Sequence, residues 1–454
     1  MPATLDLDSL KRLVKSGEID TVLVCMVDMQ GRLVGKRYTG HFFLSNGVEE
    51  SHNCNYLLAV DMEIEPVPGY QHASWEKGYG DFVLKPDLGT LRRVPWLPGT
   101  ALVISDVCDH HGEPVPVSPR QILKRQVERA RKAGWVSKMA GELEFFCFDE
   151  SYESARAKDY KNLKHAGWYI EDYLILQTTK EEPLLRAIRN HMDAAGVPVE
   201  MSKGEWGPGQ EEINLSYAEA VEMADRIAIY KNGAKEIAHL QGKAVTFMAK
   251  FAYDLAGNSF HLHSSLWDAK TDKPLFCDKA APDHMAKLFC HYLQGQLEGA
   301  RESTYFFAPY INSYKRYQAG TFAPTKAVWS FDNRTAGFRI VGEGGGLRSE
   351  CRIPGADANP YLAFAATLAC GLHGIEKKLE LEPGFKGNAY AAKKIREVPK
   401  TLREAIALLD KSKMLRAAFG DDVIDHYVHA GEWEQFEYDR RVTDFERIRM
   451  FERG

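Results

Sequence analysis

The sequence predicts an α+β protein built from two unequal domains. Segments with strand and helix patterns are mixed along the chain, without the steady strand–helix–strand alternation of a parallel α/β sheet. The length of 454 residues exceeds that of one typical domain. A hydrophobic fraction of 44% beside a charged fraction of 27% is typical of a globular chain, not of a disordered or fibrous one.

Charge and composition argue against several functional classes. The net charge of -5, without any basic run, argues against binding to a nucleic-acid backbone. No apolar stretch approaches the roughly 18 residues of a membrane span, and residues 1–15 carry charges where a signal peptide needs an apolar core. The 8 cysteines are scattered without a Cys-x-x-Cys pair, which favours buried thiols in a reducing compartment. We therefore expect a cytoplasmic protein that binds neither nucleic acid nor a membrane.

Residues 1–112 are predicted to form a small β-rich domain. The β-branched run 21–27 is a strand, and Gln30–Gly31 supplies the turn into the next one. The segment 46–96 is rich in Gly, Pro, Tyr and acids and is predicted to be irregular. Irregular segments of that length are usually functional or interfacial. Residues 101–106 close the domain as a strand.

The second domain, residues 113–454, is predicted to open with a helix. Ser118 is a candidate N-cap, Pro119 occupies the first helical position, and Gln121 completes a capping box. Apolar residues at helical spacing follow, and Gly134 ends the pattern.

The remaining patterns of this domain alternate irregularly between strand and helix. They predict strands over 141–149, 198–201 and 244–250, helices near 183–195, over 218–240 and over 360–371, and a mostly helical tail over 402–452. No internal repeat is present, and this irregular order is what favours α+β.

The strand at 141–149 carries the first candidate site. At strand period, Glu142 and Glu144 point to one face, while Leu143 and Phe145 point to the other. Two neighbouring carboxylates on an apolar strand repel each other and lose hydration, which is costly unless a cation lies between them. The alternative is an edge strand whose acidic face meets water or lysines.

Two further motifs carry possible metal ligands. Glu205 and Glu212 flank a Gly/Pro-rich turn that lets both acids face one point, although an acidic surface turn explains them equally well. His261 and His263 lie on one strand face, which suits a metal or a phosphate. A hydrogen-bonded strand pair is the alternative.

Arginines supply the complementary charge. Those in apolar-leaning or alternating contexts are Arg316, Arg334, Arg339, Arg348 and Arg352. Glu350 lies between the last two, and a cross-strand ion-pair ladder is the alternative explanation there. Carboxylates and histidines that hold divalent cations, beside arginines that hold anions, are what phosphoryl transfer from ATP requires.

These motifs, in this order, resemble the glutamine synthetase family. The resemblance is to the bacterial class-I type and its γ-glutamyl-amine ligase relatives, the γ-glutamylpolyamine and γ-glutamylalkylamide synthetases. It runs from about residue 22 to residue 446. It rests on GELEFFCFD, GEWGPGQEEINL, GNSFHLHSSLW, NSYKR, APT…WSFDNRTAGFR, LRSECRIPGADANPYLAFAATLACGLHGI and VTDFE.

The resemblance implies an architecture and a set of ligands. The N-terminal domain would be a β-grasp, and the large catalytic domain a curved antiparallel sheet with helices. The chain would assemble into a dodecamer of two hexameric rings, with active sites between neighbouring subunits. ATP and two or more Mg²⁺ or Mn²⁺ ions per site would serve as cofactors, and L-glutamate and an amine as substrates.

The resemblance also implies a role for individual residues. The first metal ion would be held by Glu144, Glu205 and Glu212, and the second by Glu142, His261 and Glu350. The nucleotide would be contacted by Glu200, His263, Ser265 and Arg348. Glutamate and the transferred phosphate would be held by Gly257, Arg316, Arg334, Arg339 and Arg352. Tyr390 lies in the region where some members are adenylylated, although its surroundings match poorly.

Departures from the family pattern concern the amine. Members that use ammonia carry a flap glutamate where this chain has Phe322, and the Asn of the glutamate loop is replaced by Ala256. A phenyl ring removes attraction for NH4⁺ and offers contact area to an alkyl group. We therefore expect a ligase that joins glutamate to a small alkylamine, amino alcohol or polyamine through a γ-glutamyl phosphate. The alternatives are an ammonia-using glutamine synthetase and a catalytically silent member.

An amine arrives protonated, so a base must remove a proton before attack. With Phe322 at the flap, the resemblance leaves Asp61, or Asp81, of a neighbouring subunit as the expected catalytic base.

Overall fold

Two β-sheets carry the fold in the computed structural model, which describes residues 4–454. The first sheet has the order β2-β1-β6-β4-β3, and β5 pairs with β6. Its strands are β1 Thr21–Val27, β2 Leu33–Thr39, β3 Ser51–Cys54, β4 Asp81–Pro86, β5 Arg92–Arg93 and β6 Thr100–Cys108. Strand β1 runs antiparallel to β2 and parallel to β6. This mixed sheet is consistent with the expected β-grasp.

The predicted strands β1 and β6 are confirmed, but the segment 46–96 is less irregular than predicted. It contains β3 and β4, which pair with each other, and β4 also pairs with β6. The sequence of β3, Ser-His-Asn-Cys, has no apolar alternation, and β4 ends in a proline. Tertiary pairing, not a local pattern, forms these two strands.

The second sheet is larger and almost entirely antiparallel, as expected. Its order is β13-β14-β15-β12-β7-β9-β8, with β10 and β11 both paired to β7. Only β13 and β14 run parallel among the described strands. Its strands are β7 Trp135–Phe148, β8 Val199–Gly204, β9 Gln210–Leu215, β10 Ala218–Glu219, β11 Ala244–Thr246, β12 Phe260–Asp268, β13 Trp329–Phe331, β14 Phe338–Val341 and β15 Arg348–Cys351.

Some of the helices cover one face of this second sheet. The helices are α1 Leu7–Ser16, α2 Gly40–Phe42, α3 Pro119–Lys132, α4 Tyr152–Ala157, α5 Ile175–Ala194, α6 Ala220–Leu240, α7 Lys287–Gly299, α8 Thr304–Phe307, α9 Ile311–Tyr314, α10 Pro360–Lys377, α11 Leu402–Asp410, α12 Lys413–Phe419, α13 Asp421–Asp439 and α14 Asp444–Met450. Helices α3 and α6 contact β7, and α10 packs on both of them. The apolar side chains of β7, such as Leu143 and Phe145, are buried in the core on this side.

Two helix predictions need correction. Helix α3 begins at Pro119 and ends before Gly134, but the Ser118 side chain makes no capping hydrogen bond, so the capping box is not formed. Helix α5 begins eight residues before Pro183, which lies inside it. Residues on both sides of this proline, such as Glu181 and Leu184, are buried, so tertiary packing holds the helix across it.

The N-terminal and C-terminal parts of the chain share one core. Arg120 donates to Asp106 at 2.5 Å, to Asp87 at 2.8 Å and to Asp225 at 2.9 Å. Apolar residues of both parts belong to the same buried cluster. The division at residue 112 stays a prediction. All eight cysteines are free thiols, and none of the helices within residues 4–454 has the length and apolar character of a membrane span.

Candidate active site

A cavity of about 510 Å³ brings together most of the predicted site residues. Its lining includes Glu142, Glu144, Glu205, Glu212, Gly257, His261, Arg316, Phe322, Arg334, Arg339 and Arg352. The register of the large sheet explains the convergence, because Glu142 lies opposite His261 and Glu144 lies opposite Glu212. Four strands and four loops that are distant in sequence therefore present charged side chains to one space.

The first carboxylate cluster is formed by Glu144, Glu205 and Glu212. Their nearest oxygens all lie within 4.8 Å of one another. Burial and the neighbouring Glu205 raise the pKa of Glu144 to about 7. Burial, followed by the charge of Glu142, raises the pKa of Glu212 well above its ordinary value. This cluster is costly as three bare anions and fits a hard divalent cation.

The second predicted set, Glu142, His261 and Glu350, also converges. His261 Nδ1 lies 3.2 Å from Glu142 Oε2 and 3.7 Å from Glu350 Oε1. Two overlapping groups have potential ligand atoms within 4.8 Å of one another. One contains Glu142, Glu212 and His261, and the other contains Glu142, His263 and Glu350. Burial, followed by the charge of Arg352, lowers the pKa of His261 to about 4, so its imidazole is neutral as metal binding requires.

Glu350 is completely buried, and two arginines neutralise it. Arg352 Nη1 donates to its Oε1 at 2.6 Å, and Arg339 Nη1 donates to its Oε2 at 3.0 Å. Burial opposes ionisation of Glu350, but Arg352 prevails and lowers its pKa to about 2. The cross-strand ion pairing considered for this motif is therefore present in part, since Glu350 pairs with Arg339 and Arg352 while Arg348 contacts His263 instead.

The arginines give the cavity an anion-binding side. Arg316 is buried and donates to the carbonyls of Ile353 and Arg352, at 2.9 and 3.0 Å. Arg334 and Arg339 line the same space. Guanidiniums held in this way suit carboxylate and phosphoryl oxygens, which accept paired hydrogen bonds.

A second cavity, of about 650 Å³, contains all four predicted nucleotide contacts: Glu200, His263, Ser265 and Arg348. Glu142 lines both cavities. His263 links them, since its Nε2 lies 2.9 Å from Glu142 Oε1 and its Nδ1 accepts from Arg348 Nε at 3.0 Å.

The second cavity also has an aromatic wall that the sequence motifs did not indicate. The Tyr217 and Trp267 rings stack with centroids 6.1 Å apart, and Lys138 Nζ lies 3.8 Å from a Trp267 ring centroid. Trp267 continues the period-2 alternation of His263 and Ser265 on β12, which was a usable signal. A flat aromatic surface beside cationic groups fits a nucleotide with its base and phosphates.

The first cavity also contains residues that the sequence motifs did not indicate, among them Asp172, Tyr173, Lys203 and Trp206. Lys203 forms an ion pair with Glu205, and its Nζ lies 3.6 Å from Asp172. Lys203 lies two positions before Glu205, near the end of β8. Because residues two apart on a strand share a face, strand periodicity could have indicated Lys203. Asp172 lies in a loop whose sequence carried no signal.

Phe322 and Trp206 form an aromatic pair at the cavity. Their ring centroids lie 5.5 Å apart with planes at 64°, and each residue is about half exposed, 47% and 46%. Phe322 has a φ of 58°, a left-handed conformation that costs energy for a side chain of this size. Its carbonyl lies 3.5 Å from Arg352 Nη2, and the next carbonyl, of Ala323, accepts from the Tyr390 hydroxyl at 3.0 Å.

Asp61 does not line the cavity of its own chain. Its Oδ1 accepts from the backbone N–H groups of Glu63 and Glu65, both at 3.0 Å, and its Oδ2 lies 3.4 Å from Trp433 Nε1. These bonds hold a turn. Its role as a base donated by a neighbouring subunit stays a prediction.

Comparison with known proteins gives one family. The model described as "Glutamine synthetase, catalytic domain" matches residues 116–450. The chain is 48% identical to gamma-glutamylethanolamide synthetase GlnA4 of Streptomyces coelicolor, over 99% of this chain and 96% of the relative. It is 34% identical to glutamate--isopropylamine ligase of a Pseudomonas species, over 98% and 97%. The solved structure described as "GmaS/ADP complex-Conformation 1" is similar with a TM-score of 0.86 and 26% identity, covering 98% and 99%.

Proposed function

Because the chain belongs to the glutamine synthetase family, we propose that it is an ATP-dependent ligase joining the γ-carboxylate of L-glutamate to a small amine. The observation that carries this proposal is the cavity that combines acidic clusters, arginines and the Phe322–Trp206 pair. The acids and arginines account for acyl activation by ATP. The aromatic pair accounts for an amine that carries carbon.

The reaction proceeds in two steps. The γ-carboxylate of glutamate attacks the terminal phosphoryl group of ATP, giving γ-glutamyl phosphate and ADP. The nitrogen of the amine then attacks the acyl carbon, phosphate leaves, and the amine's extra proton passes to a base. Divalent cations, when bound at the two acidic sets, neutralise phosphate oxygens and so lower the barrier to the first step.

The chain's own residues bind and orient the reacting groups. Arg316 and Arg352 bind carboxylates of glutamate, while Arg334 and Arg339 face the phosphoryl group. Gly257 lets the backbone come close to Arg316 and to Ala249, since a Cβ there would lie 2.7 Å from Arg316 Cγ and 2.7 Å from the Ala249 carbonyl oxygen. Larger residues at this position would displace Arg316.

The acceptor is a small alkylamine or amino alcohol, with ethanolamine as the first candidate. Phe322 and Trp206 present apolar ring surface where ammonia-using members carry a carboxylate. Two relatives bear names that specify an ethanolamide and isopropylamine. An ordinary glutamine synthetase is the second candidate, and the intact acidic and arginine sets favour either enzyme over a silent member.

Asp172 is a candidate base within the same chain. Among residues 4–454, it is the one carboxylate lining this cavity that stands outside the two metal sets. Lys203 Nζ lies 3.6 Å from its carboxylate and balances the negative charge of Asp172. Asp61 of a neighbouring subunit is the other candidate, and it acts only if the sites lie between subunits of the ring assembly that the family resemblance implies. A dodecamer in the cytoplasm remains part of this proposal.

Phosphate release from the purified full-length chain tests the proposal. We expect release with L-glutamate, Mg²⁺-ATP and ethanolamine or a short alkylamine, and mass spectrometry should find the γ-glutamyl amide. Faster turnover with ammonia than with every primary amine would make the chain a glutamine synthetase. No release with any nucleophile would make it a silent member.

A further inference from the structure

A third carboxylate cluster lies outside the cavity and has no part in the proposed reaction. It consists of Glu171 from the loop before α5, Glu181 from α5, and Glu211 from β9. Oxygens of the three side chains lie within 4.8 Å of one another. The three residues are 0%, 3% and 0% exposed, so all are more than nine-tenths buried.

These carboxylates lack the partners that buried anions require. Glu171 Oε1 accepts from the Gly209 N–H at 2.7 Å, but no N–H or hydroxyl group donates to its Oε2 or to either oxygen of Glu181 and Glu211. Apart from that bond, the carboxyl groups of Glu171 and Glu211 contact only each other at hydrogen-bond range, and Glu181 has no side-chain partner. No lysine, arginine or histidine nitrogen within residues 4–454 forms an ion pair with any of the three. Three buried carboxylates without a cationic partner carry a large energetic cost.

The backbone is shaped to admit this cluster. A Cβ on Gly167 would lie 1.3 Å from Glu171 Oε1, and a Cβ on Gly204 would lie 2.9 Å from Glu171 Cβ. Two glycines therefore make the space that the Glu171 side chain occupies.

We propose that Glu171, Glu181 and Glu211 bind a hard divalent cation at a structural site separate from the catalytic metal sites. Oxygen ligands at 2.3–2.6 Å from a cation can lie up to about 5 Å apart, which matches the spacing observed. All-carboxylate ligation selects Mg²⁺, Mn²⁺ or Ca²⁺ over softer metals. The cation supplies the positive charge that the surrounding side chains do not.

The cation joins three elements that shape the active site. Glu171 immediately precedes Asp172 and Tyr173, which line the substrate cavity. Glu211 immediately precedes Glu212 on β9, and alternation along the strand sends the two carboxylates to opposite faces of the sheet. The cluster thus fixes the Asp172 loop to the strand that carries a catalytic metal ligand.

Anomalous diffraction from crystals of the full-length enzyme grown with Mn²⁺ tests the site directly. We expect a peak surrounded by Glu171, Glu181 and Glu211, in addition to any peaks at the catalytic clusters. A map without a peak at this cluster overturns the proposal, whatever it shows at the active site. The outcome is therefore independent of the proposed function.

Metal content in solution provides a second test with a matched control. After dialysis against Mn²⁺, Glu181→Gln should hold one ion per chain fewer than the wild type, while Glu182→Gln should hold the same number. Glu182 lies on the same helix, but its carboxylate pairs with Arg189 at 2.6 Å. Equal content in the wild type and Glu181→Gln would overturn the proposal.

Whether the wild type or Glu181→Gln has the higher melting temperature should depend on the metal present. In EDTA, Glu181→Gln should melt above the wild type, because an amide relieves the repulsion among the carboxylates. In Mn²⁺ the order should reverse, because only the wild type gains the cation. A variant that melts below the wild type in both conditions would show that Glu181 serves packing and not metal binding.

Discussion

Replacing Phe322 should change which nucleophile the enzyme prefers. In Phe322→Ala, the ring that faces Trp206 is lost, while the left-handed backbone still carries a Cβ. The preference is measured as kcat/KM with ethanolamine divided by kcat/KM with ammonia. We expect this ratio to fall.

The size of the fall follows from the contact area. Ethanolamine carries two methylenes, each worth about 0.8 kcal/mol when removed from water. Phe322 and Trp206 contact each other and together present one apolar surface, and both are about half exposed. Loss of between one and both methylene contacts corresponds to about 0.8–1.6 kcal/mol, or a fall in the ratio of about 4- to 15-fold.

Phe322→Glu separates the role of area from that of charge. A carboxylate attracts NH4⁺ and an alkylammonium alike, so the ratio should fall as far as in Phe322→Ala. The absolute rate with ammonia, in contrast, should rise above that of both Phe322→Ala and the wild type.

Steady-state phosphate release with both nucleophiles at saturating glutamate and ATP gives these ratios. Phe42→Ala is the control, because Phe42 is 50% exposed and does not line the cavity. An unchanged ratio in Phe322→Ala, or an equal fall in Phe42→Ala, would refute the assignment of Phe322 to the amine.

Three further predictions concern the metal cluster, the flap and the base. In EDTA the wild type should lose stability as the pH rises from about 4.5 through about 7. The pKa of Glu144 is raised in the folded state, so in this range the folded chain keeps a proton that the unfolded chain releases. The free energy of unfolding should fall by on the order of 3 kcal/mol. Thermal melts should show less of this slope in Glu144→Gln and in wild type with Mg²⁺, and a slope equal in all three would contradict the cause. Tyr390→Phe removes the hydrogen bond to the Ala323 carbonyl, worth about 1 kcal/mol, and should raise KM for the amine about 5-fold with KM for ATP unchanged; a normal KM for the amine would mean that this bond does not hold the flap. Asp172→Asn should lower kcat with ethanolamine at least 100-fold near neutral pH and less at high pH, where the amine is already neutral; a pH-independent loss would indicate that Asp172 positions a group and does not accept a proton.

Much of the site could be predicted because its residues follow strand periodicity. Glu142 and Glu144 share a face of β7, and His261 and His263 share a face of β12, as their spacing predicts. The register that sets His261 opposite Glu142 cannot be predicted from the sequence of either strand alone. The order of the motifs along the chain supplied that connection, through the resemblance to a family.

Other features could not be predicted because they depend on contacts between distant segments. Asp172 enters the cavity because backbone N–H groups of its loop donate to Gly204 and Glu205 at the end of β8. Tyr390 reaches Ala323, 67 residues away. No local pattern contains such contacts, and the same holds for strand β3, which exists only because β4 pairs with it.

The pair Glu211–Glu212 shows where sequence reasoning stops. On a strand, adjacent residues face opposite sides, so Glu211 faces away from the cavity that Glu212 lines. A buried glutamate without a partner is expensive, and the chain nevertheless gathers two more, Glu171 and Glu181, around it. A single buried glutamate on this strand would need no special explanation. Three that converge from a loop, a helix and a strand, with two glycines making room for Glu171, are costly as bare anions, and within residues 4–454 no side chain forms an ion pair with them. The proposed cation would offset that cost.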